Sequence, residues 1–262
     1  MTSGRYVPDQ EWPRERTRLA AMEDLWDPGT RAVIESLGIE PGWRCLEVGA
    51  GSGSIARWLA GRVGSDGEVL ATDICTRHLE WLAETSEVEV RQHDILSDPL
   101  PKARFQLVHA RLVVEHLGRR ALERMVQAIA PGGWIVVEAH DWAGFAVYPH
   151  DERVQSAIDS VMDFMSRSGF DRYYGRRLVH ELDRAGLADV RADGRQRVHR
   201  GGDSTVAFLR LSLETIARGA IASGELLSGD VEHALAKLDD PDTVFLSAPM
   251  VAAWGRRPQN LQ

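Results

Sequence analysis

The chain is poor in cysteine, nearly devoid of lysine and free of long apolar runs. Its two cysteines, Cys45 and Cys75, are too few for a disulfide framework and read as reduced thiols. Only Lys102 and Lys237 stand among 31 basic residues, an arginine bias that suggests a GC-rich bacterial genome. No apolar stretch approaches the roughly eighteen residues of a membrane-spanning helix. The segment 1–9 lacks an apolar signal core, so a cytoplasmic location without a membrane partner is expected. A positive surplus is also missing. The net charge of -8 argues against a dedicated nucleic-acid binder. Repeats, low-complexity tracts and linkers are absent too, which leaves one elaborated domain over 1–262.

What is present begins at Cys45-Leu46-Glu47-Val48, an apolar run that reads as a buried strand. Gly49, Gly51 and Gly53 then make a turn, and Ile55, Leu59 and Val63 recur at helical spacing. Strand, glycine turn and helix form a nucleotide-binding corner. Glycine admits positive φ and close ligand approach, and a helix start offers unpaired N–H groups to an anion. The dinucleotide fingerprint would need glycine at 54, where the chain has Ser54.

Two more strand patterns follow, each with an acid near its end. Asp73 lies about 24 residues past Gly49, where a nucleotide fold sets the carboxylate that accepts ribose hydroxyls. Its competing role is to cap a helix over 76–82. Ile74 follows and is placed against the adenine face. The third strand pattern, 88–95, carries Asp94. Three acids after three successive strands, about 20 to 26 residues apart, make the strongest pattern in the sequence.

The spacing Glu47-x-Gly49-x-Gly51-x-Gly53 resembles motif I of the class I S-adenosylmethionine-dependent methyltransferases. Phe105 to Leu117 is similar to the family's motif IV and the helix after it, and Pro131-Gly132-Gly133 to the turn before its fifth strand. The resemblance covers about 40–140. It implies an α/β Rossmann-like sheet of seven strands, order 3-2-1-4-5-7-6, the last antiparallel, with helices on both faces. It also implies the cofactor S-adenosylmethionine, released as S-adenosylhomocysteine. Glu47 would neighbour the methionine ammonium, Gly49, Gly51 and Gly53 its carboxylate, and Asp73 the ribose. Asp94 and Ile95 would meet the adenine, and His109 and Arg111 are placed among the cofactor contacts. No Asp/Asn-Pro-Pro-Tyr/Phe tetrapeptide is present, and His109 stands where the divalent-metal catechol branch has aspartate. A base-gripping enzyme and a metal site are therefore not expected.

Outside that core, 1–40 reads as an N-terminal helical lid of two helices broken at Asp27-Pro28-Gly29-Thr30, with Tyr6, Glu15 and Arg18 toward the cofactor. The SAM-binding core is taken as 41–140 and the substrate side as 141–262. A helical insertion at 204–239 would cap the acceptor before a last strand near 251–255. Glu115-His116 reads as helix-to-sheet packing. Val190 to Val198 reads as strand six, with Arg191, Arg195 and Arg197 on a solvated face. His140, at the end of strand five, is the candidate general base, with Tyr148, His150, Tyr173 and His199 as weaker alternatives.

The function these features imply is in-line SN2 methylation of a small, partly apolar metabolite of natural-product or quinone type. O-methylation is placed ahead of N- or C-methylation, and a homodimer is allowed. The alternatives are a SAM-fold enzyme of non-methylating chemistry, such as a cyclase, and an RNA methyltransferase suggested by the arginines of 172–200.

Overall fold

The computed structural model describes residues 11–82 and 88–259. Helix α1 (Glu15–Ser36) leads into β1 (Arg44–Val48), α2 (Ser54–Val63), β2 (Glu68–Asp73) and β3 (Val88–Gln92). Next come β4 (Phe105–Arg111), the short α3 (Val114–Leu117), α4 (Arg119–Ala128) and β5 (Ile129–His140). The second half holds β6 (Ala146–Tyr148), α5 (Glu152–Arg167), α6 (Leu178–Arg184), β7 (Ala188–Arg195) and β8 (Val198–Arg200). It closes with α7 (Ala207–Ala222), α8 (Ser228–Asp239), β9 (Val244–Leu246) and β10 (Met250–Arg256).

Continuous apolar runs are what strands covered on both faces require. Accordingly Cys45, Leu46, Leu107, Val108, Ile135 and Val137 are fully buried in the middle of the sheet. The main sheet has the order β3-β2-β1-β4-β5-β10-β7, with β10 antiparallel to both neighbours. This is the expected 3-2-1-4-5-7-6 arrangement once the small strands are set aside. One apolar cluster packs α2, with Ile34 of α1, on one face, and another packs α4 and α6 on the other. A third joins α5, α7 and α8, the last two spanning the helical insertion expected at 204–239. Among the described residues, no helix is long and apolar enough to cross a membrane.

Four local expectations are corrected. Residues 15–36 form one helix that runs through Pro28. Pro28-Gly29 does not break it because the flanking Asp27 and Thr30 are buried and bonded to Arg111. Gly29 answers a crowding need instead, since a Cβ there would lie 1.5 Å from the Arg195 guanidinium. Residues 77–82 form a 3-10 turn rather than an α-helix. The sixth strand pattern divides into β7 and β8, which belong to different sheets. Its Arg195 is not solvated but ion-paired to the buried Glu138. A second sheet, β6-β9-β8, had no counterpart in the sequence reading.

Candidate functional site

The carboxyl ends of β1 to β5 face two clefts that share the walls Arg18, Leu112 and His116. The first follows from the glycine corner. Gly49 and Ala50 donate their N–H groups to Thr72 O at 2.8 and 3.0 Å, which pins the turn to β2. Gly49 and Gly51 have φ of +70° and +61°, values an L side chain rarely adopts. Asp73 accepts from Gly51 N and Cys75 N, both at 3.0 Å, so it anchors the turn while lining the cleft. Burial pushes its carboxyl up from the usual range, opposed by these backbone bonds. Asp94 accepts from Leu96 N at 2.8 Å, and Ile74 and Ile95 complete that end. The opening encloses about 990 Å³ of non-protein space.

Of the residues expected here, Arg18, Gly49, Gly51, Asp73, Ile74, Asp94, Ile95 and Arg111 line this cleft. Gly53 does not. It starts α2 at φ +89°, and its missing Cβ makes room for Leu82 instead. Glu47 lies just beneath, 5% exposed, with no hydrogen-bond partner for Oε2 among the described residues. His109 is also removed from the cleft wall: it is completely buried. Tyr6 lies outside the described residues. His78 and His93 line the cleft as well, and nothing in the sequence reading singled them out.

His109 sits where β1, β4 and β5 meet. Its Nδ1 is 3.5 Å from Glu47 Oε1 and its Nε2 is 3.7 Å from Glu138 Oε2. Burial lowers its pKa, but attraction from the two carboxylates outweighs that and raises it to about 9. Glu138 is held down at about 2, because His109, Arg111 and Arg195 together outweigh its desolvation. Burial raises Glu47, with His109 opposing. Arg111 reaches α1 through Asp27 Oδ1 at 2.8 Å and Thr30 Oγ1 at 2.9 Å, and Thr30 also donates to Glu138. This charged floor fixes α1 to the sheet.

The second cleft is largely apolar and encloses about 950 Å³. Ile158, Val161, Met162 and Met165 of α5 form one wall. Trp26 and Phe208, from α1 and α7, flank His140, with ring centroids 5.6 and 6.4 Å from it. His140 opens only on this cavity, whereas His116 lines both clefts. Burial lowers His140 to about 4 and His116 to about 3, so both rings are neutral near pH 7. Leu112 is held at φ +58° with its N–H on Glu138 O at 2.8 Å, a strained turn at the junction. Of the weaker alternatives to His140, Tyr148, His150 and Tyr173 are exposed, while His199 lines the cavity.

A methyltransferase domain model matches residues 45–133. Methyltransferase str2 of Strobilurus tenacellus is 32% identical over 144 residues, 53% of this chain and 51% of that protein. The chain thus spans about half the length of the first curated relatives it matches. The ubiquinone/menaquinone biosynthesis C-methyltransferase UbiE of Nitrosospira multiformis is 31% identical over 186 residues, 58% of this chain and 75% of that one. Among solved structures, Haemonchus contortus phosphoethanolamine N-methyltransferase 2, in complex with S-adenosylhomocysteine, shares the fold at TM-score 0.53 and 14% identity. That match covers 97% of this chain and 55% of the other.

Fold, glycine turn and serial acids define a methyltransferase domain. The chain belongs to the class I S-adenosylmethionine-dependent methyltransferases, and its cofactor is S-adenosylmethionine. The residues present fit that group. Two acids line the first cleft beside a positive-φ glycine turn, and an unpartnered buried carboxylate oxygen, Glu47 Oε2, lies below it.

Proposed function

We propose that the chain methylates an oxygen of a small, partly apolar acceptor held in the second cleft. The observation that carries this reading is the junction. A cleft lined by Asp73 and Asp94 and one walled by side chains of α5 and α7 meet at Leu112 and His116. Bound S-adenosylmethionine supplies a methyl already activated on a sulfonium, which leaves proximity and alignment to the protein. Asp73 would accept the ribose hydroxyls, and Asp94 the exocyclic amine of an adenine between Ile74 and Ile95. The Gly49–Gly51 backbone suits the carboxylate. Glu47, raised by burial in the free protein, would be returned toward its charged form by the ammonium.

A hydroxyl acceptor must lose its proton, and a neutral imidazole can take it. His116 is better placed for this than His140, because it alone of the two borders both clefts. Four of the eight arginines in the run that suggested RNA are committed to acids of the fold: Arg172 to Asp159 and Asp163, Arg176 to Asp141, Arg177 to Asp171 and Arg195 to Glu138.

The test is S-adenosylhomocysteine release with a panel of hydroxylated aromatics and their amine and carbon-nucleophile analogues. Hydroxylated acceptors should turn over. His116→Gln should then reduce kcat by 10²–10⁴, the usual range for one acid–base group. The same loss in His140→Gln but not in His116→Gln would transfer the role to His140. Turnover of amines alone would sink O-methylation.

A further inference from the structure

The ionisable content of the acceptor cavity is small. Arg18 brings a charge, but Glu15 grips its guanidinium twice, at 2.8 and 2.6 Å, and the pair is buried. His116, His140 and His199 all lie below the ordinary histidine pKa because burial disfavours their charged forms. The remaining ionisable wall residue is Glu115, 2% exposed. Its place is fixed by the first turn after the strained Leu112, and its carbonyl accepts from Asp171 N at 2.7 Å. The His140 backbone N–H hydrogen-bonds to its carboxyl group. Its Oε2 has no partner among the described residues. A buried polar atom without a partner is costly, and one in a ligand cavity is the usual place for a ligand's complementary group.

We propose that Glu115 is the acceptor's recognition group. It selects an uncharged, mostly apolar acceptor with an oxygen that accepts a hydrogen bond, such as a ring ketone. This rests on the small-molecule reading above and adds a chemical class to it.

Burial, reinforced by Asp171, drives the Glu115 carboxyl well above the usual carboxylate range, which favours the protonated, hydrogen-bond-donating form. An anionic acceptor would lose its hydration to a cavity whose one guanidinium is already committed to Glu15. A cationic acceptor would have to ionise Glu115 against its burial before pairing with it. Both charged classes therefore bear a desolvation cost that a neutral acceptor does not.

The test needs no turnover. Binding of tetralin, 1-tetralone and 1-aminotetralin, three isosteric probes differing in one group, is measured by calorimetry on the protein saturated with S-adenosylhomocysteine. The wild type should bind tetralone about tenfold more tightly than tetralin, the value of one buried hydrogen bond, and the ammonium probe no better than tetralin. Glu115→Leu should bring tetralone and tetralin within about twofold of each other by losing that bond. Glu115→Gln, which keeps a donor of similar size, should retain the preference. Undiminished S-adenosylhomocysteine affinity in each variant reports an intact fold. A preference that survives Glu115→Leu, or tightest binding of 1-aminotetralin to the wild type, overturns the assignment. Failure of all three probes to bind overturns the small-molecule reading itself, and the proposal with it.

Discussion

The two clefts are nearly equal in size, about 990 and 950 Å³, and are built by opposite means. The acid-lined cleft is made of strand ends and the turns after them. Its key groups are main-chain N–H groups and the acids after β2 and β3, all within 48–95. The apolar cavity is made of side chains brought together from α1, α3, α5, α7 and the loop before β10. A local motif therefore specifies the first, while only long-range packing specifies the second. Chemistry shared by a family can sit in the local half, and acceptor choice can vary in the other without disturbing it. Between them lies the floor of Glu47, His109, Glu138 and Arg111, which serves both.

Asp73→Ala should separate the halves most sharply. Two charge-assisted hydrogen bonds are worth about 3–6 kcal/mol, so S-adenosylhomocysteine affinity should fall by two orders of magnitude or more. Affinity for 1-tetralone should stay within about twofold, since the residue lies outside that cavity. Calorimetry checks both. Unchanged affinity for S-adenosylhomocysteine in a folded Asp73→Ala would falsify the assignment of the first cleft. Because Asp73 also holds Gly51 and Cys75, Asp73→Asn separates lost anchoring from lost charge.

His109→Leu attacks the shared floor and should blur the comparison by weakening both clefts. Removing one partner of a buried ion pair costs about 3–5 kcal/mol, here because Glu47 and Glu138 would lose the cation between them. Urea unfolding as a function of pH gives the sign. The His109 pKa is raised to about 9, so its stabilisation is full below the unfolded value of about 6.5 and is lost as pH rises through 9. His140 and His116 are lowered to about 4 and 3, so their contribution is full above that unfolded value and is lost as pH falls. The histidine contribution to stability should therefore peak near pH 6.5. In His109→Leu the loss of stability between about pH 6.5 and 9 should shrink while the acid limb remains. An unchanged slope over that interval would show that His109 is neutral in the folded chain.

Gly29→Ala should have the smallest effect. The added methyl must displace the Arg195 guanidinium from above α1, loosening its grip on Glu138. The expected cost is about 1–3 kcal/mol by overpacking, read as a lower urea midpoint at an unchanged slope. Wild-type stability in that variant would mean that Arg195 finds another route to the buried acid.

How much of this was legible follows the same division. Asp73, Asp94, Gly49 and Gly51 could be read because strand, turn and acid are neighbours in sequence. Helix α1 was misread as two because Pro28 and Gly29 are strong local breakers. What overrides them is Arg111 on Asp27 and Thr30, eighty-odd residues away in the chain. Arg195 looked solvated because its partner Glu138 comes from another strand. His116 looked like packing for the same reason: the helices that make it a cavity wall lie elsewhere in the chain.

By itself, then, the sequence determined the sheet and the glycine corner, since alternation, glycine φ and strand-end acids act over a few residues. The tertiary structure alone decided the apolar cavity, the protonation of its histidines and the buried floor. Desolvation and ion pairing depend on which distant groups become neighbours, and no local pattern encodes that.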